Sequence, residues 1–289
     1  MTNFHHGMTA GDAAAMKSLR AQMAAHPITI TRASYDGLFE HVPPAEGIDY
    51  SEASVGNVPG VWCVAGPRNT TAMLYLHGGA FVFGSARAYR RFVGHIVARS
   101  GVPAFVADYR LAPEHPFPAA LDDARAVYRA LVDQLGASHV AVVGDSAGGG
   151  LALSLLREET GAGCGVLLSP WTDLTLTGES LDSKAGDDPL LTRAGLAAGA
   201  EQYLGTHSRR DPRVSPLYAS SREARPIQVH VGTAEVLLDD SLRLDAGDQI
   251  EVHTWEGMPH VFPSSIGVFE AAQEALALIG AFLRKNLPA

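Results

Sequence analysis

From residue 72 onward, short apolar runs alternate with amphipathic stretches. Ala72-Met73-Leu74-Tyr75-Leu76, the run at 102–107, Val140-Ala141-Val142-Val143 and Val166-Leu167-Leu168 show no polar alternation, as expected of strands covered on both faces. Between them, helical patterns predict helices over 88–99, 118–135 and 147–158. Strand–helix repetition predicts a mostly parallel sheet with right-handed crossovers and helices on both faces. The rhythm breaks over 171–215, where Pro189, several glycines, a helical stretch near 193–204 and mixed charge read as an insertion over one end of the sheet. It resumes with strands at 227–231 and 250–253, separated by a short polar segment at 239–248, and ends in a helix at 266–285. Upstream, 11–25 reads as an amphipathic helix with Met16, Leu19 and Met23 on one side, ended by Pro27. Ile28-Thr29-Ile30-Thr31 alternates and predicts a strand, and 43–57, rich in Pro, Gly, Glu and Ser, reads as loop. No repeat of 20–50 residues and no linker is visible, so one domain over 1–289 is expected.

Composition narrows the function classes. With 46% hydrophobic and 18% charged residues the chain is not of the disordered type. A net charge of -9, from 31 acidic and 22 basic residues, opposes binding to nucleic acid and to anionic membranes but leaves neutral substrates open. The first residues, Met1 to His6, show no basic region followed by an apolar core, and no run of 18 apolar residues could span a bilayer. A soluble cytoplasmic protein is the expectation. Cys63 and Cys164 lie 101 residues apart in apolar stretches and read as buried small hydrophobes, with no disulfide framework and no metal-ligand spacing.

Gly144-Asp145-Ser146-Ala147-Gly148 fits G-x-S-x-G, and its placement carries the weight: it follows the strand at 140–143 and opens the helix at 147–158. A sharp strand-to-helix turn lifts a nucleophile clear of the sheet but crowds its flanks, hence glycine. The helix N-terminus behind Ser146 adds N–H groups, and Ala147 would donate one to a developing oxyanion. A phosphate loop would need a following Lys, which is missing. A trypsin-like reading of the string would need an all-β chain, and a plain tight turn is the bland alternative. His77-Gly78-Gly79-Ala80 ends the strand at 72–76, so Gly78 and Gly79 are candidate second donors and His77 a brace for the loop.

A serine nucleophile needs a general base and an orienting carboxylate. In strand–turn–helix hydrolases these follow the nucleophile in the order acid, then His. His260, in Gly257-Met258-Pro259-His260, follows the strand at 250–253, whereas His253 lies inside that strand and His230 precedes the acid. For the acid, Glu235 lies closest to the end of the strand at 227–231, with Asp239 next; Asp239 and Asp240 read as caps or first-turn residues of a short helix.

Six segments together resemble the bacterial hormone-sensitive-lipase-like family of α/β-hydrolases, small carboxylesterases. They are HGGA at 77–80, DYRLAPEHPFPAALDD at 108–123, GDSAGG at 144–149, SPWTDL at 169–174, DPRVSPL at 211–217 and GMPHVF at 257–262. The resemblance runs from about residue 72 to the end and implies an α/β-hydrolase fold with a small helical cap, here expected from about 1–40 and 171–215. It implies a catalytic triad of Ser146, Glu235 and His260, an oxyanion hole of Gly78, Gly79 and Ala147, and no metal or cofactor. Many relatives carry Asp at the acid position, and Ala80 stands where the family has a third Gly, a methyl expected to narrow the pocket. The segment between Glu235 and His260 looks shortened. The implied activity is hydrolysis of short- to medium-chain acyl esters through an acyl-enzyme. Alternatives are a deacetylase or acyltransferase on the same site, or a non-catalytic small-molecule receptor; plant gibberellin receptors resemble the family but lack the histidine, which is present here. A homodimer through the last edge strand would fit the family. Phe4, Phe39, Phe81, Phe83 and Tyr203 are candidate pocket liners, and Glu114 and Asp122 candidate hydrogen-bond partners of the nucleophile loop, against a solvated-loop alternative.

Overall fold

The computed structural model describes residues 1–25, 30–66, 70–219, 225–244 and 249–288. In chain order the elements are β1 (Thr2–His6), α1 (Ala10–Ala25), α2 (Arg32–Glu40), β2 (Asp49–Val55), β3 (Val58–Val64), β4 (Ala72–Leu76) and α3 (Ala86–Ser100). There follow β5 (Ala104–Ala107), α4 (Ala119–Leu135), β6 (Val140–Asp145), α5 (Ser146–Glu158), β7 (Cys164–Leu168), α6 (Ser180–Ser183) and α7 (Arg193–Leu204). β8 (Pro226–Gly232), α8 (Leu238–Leu242), β9 (Gln249–Trp255) and α9 (Glu270–Asn286) close the chain. Among the described residues the strands form one nine-stranded sheet in the order β1-β9-β8-β7-β6-β4-β5-β3-β2. Pairing is parallel from β1 to β5, and antiparallel where β3 joins β5 and β2 joins β3.

Strand periodicity divides the core. Met73, Tyr75, Val106, Ala141, Val143 and Val166 pack with residues of α3 and α9, while Leu74, Leu76, Phe105, Val140, Val142 and Leu167 pack with residues of α4 and α5. Both faces are therefore apolar, which is why these strands read as unbroken hydrophobic runs. Cys63 and Cys164 are fully buried thiols within the α3–α9 layer, and burial pushes each up to about 12. Among the described residues no helix is long and apolar enough to cross a membrane.

The segment read as loop at 43–57 contains β2. It is an edge strand with mostly exposed or half-buried positions, so polar residues fit it and the apolar signal is weak. Of the strand expected at 28–31, residues 28 and 29 lie outside the described residues; Ile30 is not in a strand, and Thr31 caps α2 by accepting from Ser34 N–H. Pro27 is likewise outside the described residues. The last helix begins at Glu270 rather than 266, because Gly267 takes a left-handed φ of 81° and Phe269 is extended just ahead of it. The expected cap splits by location: β1 joins the sheet edge, α1 docks on the start of α9 where Asp12 accepts from Glu270 N–H, and α2 reaches the loop after β4. Part of the shortened segment before β9, 245–248, lies outside the described residues.

Candidate active site

β6 and α5 meet with no intervening loop: the strand ends at Asp145 and the helix starts at Ser146. Ser146 takes φ 52°, a left-handed conformation that costs a non-glycine residue on the order of 1–3 kcal/mol. The flanking glycines permit it. A Cβ on Gly148 would lie 2.1 Å from the Leu76 carbonyl oxygen and 2.3 Å from that of His77; one on Gly144 would lie 2.3 Å from the Gly148 carbonyl oxygen. The bend thus seats its backbone directly on the end of β4, which brings Ser146 beside the loop that follows.

His260 Nε2 lies 2.9 Å from Ser146 Oγ, and His260 Nδ1 lies 2.7 Å from Glu235 Oε2. Glu235 is fully buried on the turn after β8, and its other oxygen accepts from Gly232 N–H at 2.7 Å and from Ser169 Oγ–H at 2.8 Å. Ser169 in turn accepts from Val261 N–H at 3.0 Å, tying the histidine loop to the acid. Burial alone would lower the imidazole's basicity. The hydrogen bond to Glu235 and the negative charges of Glu235, Asp188 and Asp145 outweigh it and raise the His260 pKa above 6.5. Asp188 belongs to the 171–215 insertion and accepts from Val236 N–H at 2.9 Å. Asp239, the alternative acid, instead accepts from Ser180 N–H at 2.9 Å, and Asp240 accepts from Thr172 and Asp173 N–H. Both sit in the first turn of α8 and hold the insertion against it.

The loop after β4 corrects one expectation. Gly78 N–H is not open to a substrate: it donates to Asp145 Oδ1 at 3.0 Å. Asp145, 1% exposed, also accepts from Tyr75 Oη–H at 2.8 Å and Tyr89 Oη–H at 3.2 Å, and burial raises its carboxyl to about 6 despite these bonds and the His260 charge. Two adjacent glycines look alike in a sequence; the carboxylate beside Ser146 decides which N–H is consumed. Gly78 is needed for closeness, since a Cβ there would sit 2.3 Å from Asp145 Oδ2 and 3.1 Å from Ser146 Cβ. Among the described residues, neither Gly79 nor Ala80 N–H is paired with a protein acceptor. The Ala80 methyl packs toward Gly199 of α7. His77 braces the loop as expected, with Nδ1 2.8 Å from Gly78 O and its ring stacked on Tyr109 at 4.4 Å.

Glu114 and Asp122 do not reach the nucleophile loop: Glu114 pairs with Arg32 at 2.6 Å and Asp122 with Arg125 at 2.7 Å, both at the surface. Of the aromatic candidates, Phe4 lies on the outer strand stacked on His253, and Phe39 packs on Tyr89. Phe81 and Tyr203 stack on each other at 3.7 Å beside Ala80, and Phe83 stacks on Tyr35 of α2. Ser169, Asp188 and Asp145 were not singled out from sequence. A serine at the C-terminal end of β7, between the strands carrying Ser146 and Glu235, was the available signal.

A family model described as the alpha/beta hydrolase fold matches residues 73–264. An acetyl-hydrolase of Streptomyces hygroscopicus is 34% identical over 254 residues, 84% of this chain and 83% of that protein. An esterase of Acinetobacter venetianus is 38% identical over 226 residues, 74% of each. A crystal structure of an esterase from the bacterial hormone-sensitive lipase family is similar with a TM-score of 0.89 at 36% identity, covering 97% of this chain and 99% of the other. A hormone-sensitive lipase from a metagenome library gives 0.90 at 32% identity, covering 98% and 100%.

Proposed function

The chain belongs to the bacterial hormone-sensitive-lipase-like family of α/β-hydrolases, and from that premise we propose that it hydrolyses short- to medium-chain carboxylic esters with Ser146 as nucleophile, His260 as base and Glu235 as orienting acid. The observation that carries the reading is the unbroken relay Ser146 Oγ–His260 Nε2 at 2.9 Å and His260 Nδ1–Glu235 Oε2 at 2.7 Å. Relatives named acetyl-hydrolase and ethyl acetate hydrolase support the small acyl group.

The geometry performs the reaction as follows. Nδ1–H donates to Glu235, which leaves Nε2 free to take the Ser146 proton as Oγ attacks the ester carbonyl. The oxyanion is received by the N–H groups of Ala147 and Gly79, joined by Ala80 in place of Gly78. Each such donor is worth roughly 3 kcal/mol in the transition state. The imidazolium, stabilised by Glu235, then protonates the leaving alcohol. Water enters, gives its proton to His260 and attacks the acyl-enzyme, and Ser146 is regenerated.

The test is turnover of p-nitrophenyl acetate through octanoate by the purified protein. Activity should be greatest on the shorter chains, Ser146→Ala should remove about 10⁶-fold of kcat, and a phosphonate inhibitor should label Ser146. An active Ser146→Ala protein refutes the assignment. A preference for transfer to an added alcohol over hydrolysis would favour the acyltransferase alternative.

A further inference from the structure

We propose that Gly199 of the helix α7 is a positioning residue for ester hydrolysis: its bare Cα against the methyl of Ala80 lets α7 hold the oxyanion loop in its working shape. This rests on the reading of the Gly79 and Ala80 N–H groups as oxyanion donors.

The loop is a strained segment. Gly79, Ala80 and Phe81 run consecutively through positive φ, at 111°, 53° and 63°. Two of the three carry a Cβ, and such a run persists only where its surroundings over-determine it. From one side, Val82 and Phe83 N–H both donate to Gly79 O, and Ala112 N–H donates to Phe81 O. From the other side the loop meets α7. The Phe81 ring lies on Tyr203 at 3.7 Å and 7°, and both rings are buried. Gly199 stands one helical turn before Tyr203, so the two share a face. The pair Ala80-Phe81 is thus matched by the pair Gly199/Tyr203, small against small and ring against ring.

The fit at Gly199 has no slack. A Cβ there would sit 2.9 Å from Ala80 Cβ and 3.4 Å from Ala80 O. Ala80 Cβ has no rotamer by which to withdraw, so either the helix or the loop must move. The helix is held at both ends: Phe117 N–H donates to Tyr203 O at 2.7 Å, and Arg193 bonds Asp182 and the Leu176 carbonyl. The strained loop yields first. Oxyanion donors act over a narrow range of distance, and a misplacement of about 1 Å can cost about 10²-fold.

The experiment is a double-mutant cycle on p-nitrophenyl acetate hydrolysis. Gly199→Ala should lower kcat about 10- to 100-fold, leave KM within about threefold, and leave the titre of phosphonate-reactive sites intact. Alanine is the better helix former, so a fall in kcat with no fall in Tm separates positioning from simple damage. In an Ala80→Gly background the same substitution should change kcat less than about threefold, because the opposing methyl is gone. Unchanged kcat for Gly199→Ala, equal losses in both backgrounds, or loss of fold in both would overturn the proposal. Failure of the esterase reading shows separately, as an inactive parent protein or an active Ser146→Ala variant.

Discussion

Glu235→Gln isolates the acid from everything else in the site. The carboxylate is fully buried and accepts three hydrogen bonds, from His260 Nδ1, Gly232 N–H and Ser169 Oγ–H. Glutamine has the same shape but only one oxygen, so one end must present an NH₂. With that NH₂ toward Gly232, two donors face each other in a buried place at a cost of about 1–3 kcal/mol in stability. With it toward His260, Nδ1 must become the acceptor. The ring proton then moves to Nε2, where it blocks acceptance of the Ser146 proton. Wrong-tautomer histidines of this kind lose about 10⁴ in kcat, about 5.4 kcal/mol of transition-state stabilisation. Stopped-flow and steady-state hydrolysis of p-nitrophenyl acetate measure it, with Asp239→Asn as the comparison. Asp239 bonds Ser180 and no part of the relay, so that variant should keep kcat within about threefold and lose about 1 kcal/mol of stability. If Glu235→Gln stays within tenfold of the parent and Asp239→Asn collapses, the relay has been assigned to the wrong carboxylate.

Three further predictions follow from the same geometry. On the proposed mechanism His260 must be neutral, and its pKa is raised, so kcat/KM should fall about tenfold per unit as pH drops below a value above 6.5; Asp145→Asn removes one of the raising charges and should move that acid limb to lower pH. Burial holds His230 well below 6.5 and His253 at about 4; the charge of His6 lowers both further, and that of His253 adds to the effect at His230. The unfolded chain therefore binds protons near pH 6.5 that the native state refuses, and these groups withdraw stability as pH falls from 6.5 toward 4. Asp145 and Asp240, raised to about 6 and about 7, act with the opposite sign, so the comparison is differential: His253→Phe should lose less Tm between pH 7.5 and 5 than the parent. Gly148→Ala places a Cβ 2.1 Å from the Leu76 carbonyl oxygen and should cost about 3 kcal/mol or more in urea unfolding, with loss of activity; a stable, active variant would contradict the tight bend.

The central strands were legible because both faces are buried: nothing polar interrupts Leu74, Val142 or Leu167. β1 and β2 were missed for the converse reason. Thr2–His6 and Asp49–Val55 lie at the two sheet edges, where solvent permits Asn, His, Ser and Glu, and only pairing with β9 and β3 makes them strands. Ser146, Glu235 and His260 could be picked out as candidates because each follows a readable strand, and their side chains meet within hydrogen-bond distance. The fate of Gly78 could not, because it depends on the orientation of one peptide plane relative to Asp145, 67 residues away. The support from Ser169 and Asp188 was hidden likewise: both act across strand neighbours or from the insertion, contacts that no local spacing encodes.

The strand Thr2–His6 lies parallel along β9 and takes up its outer backbone groups. His6 stacks on Trp255 at 3.8 Å and reaches His253 Nδ1 at 3.0 Å, so this border is fastened by rings as well as by the ladder. A second subunit that extended the sheet at this end would therefore abut the leading strand and leave β9 untouched. Assembly at this border would then run through Thr2–His6 rather than through β9, and its far end would sit close to the His260 turn, because His6 pairs with Trp255 and accepts from Glu256 N–H.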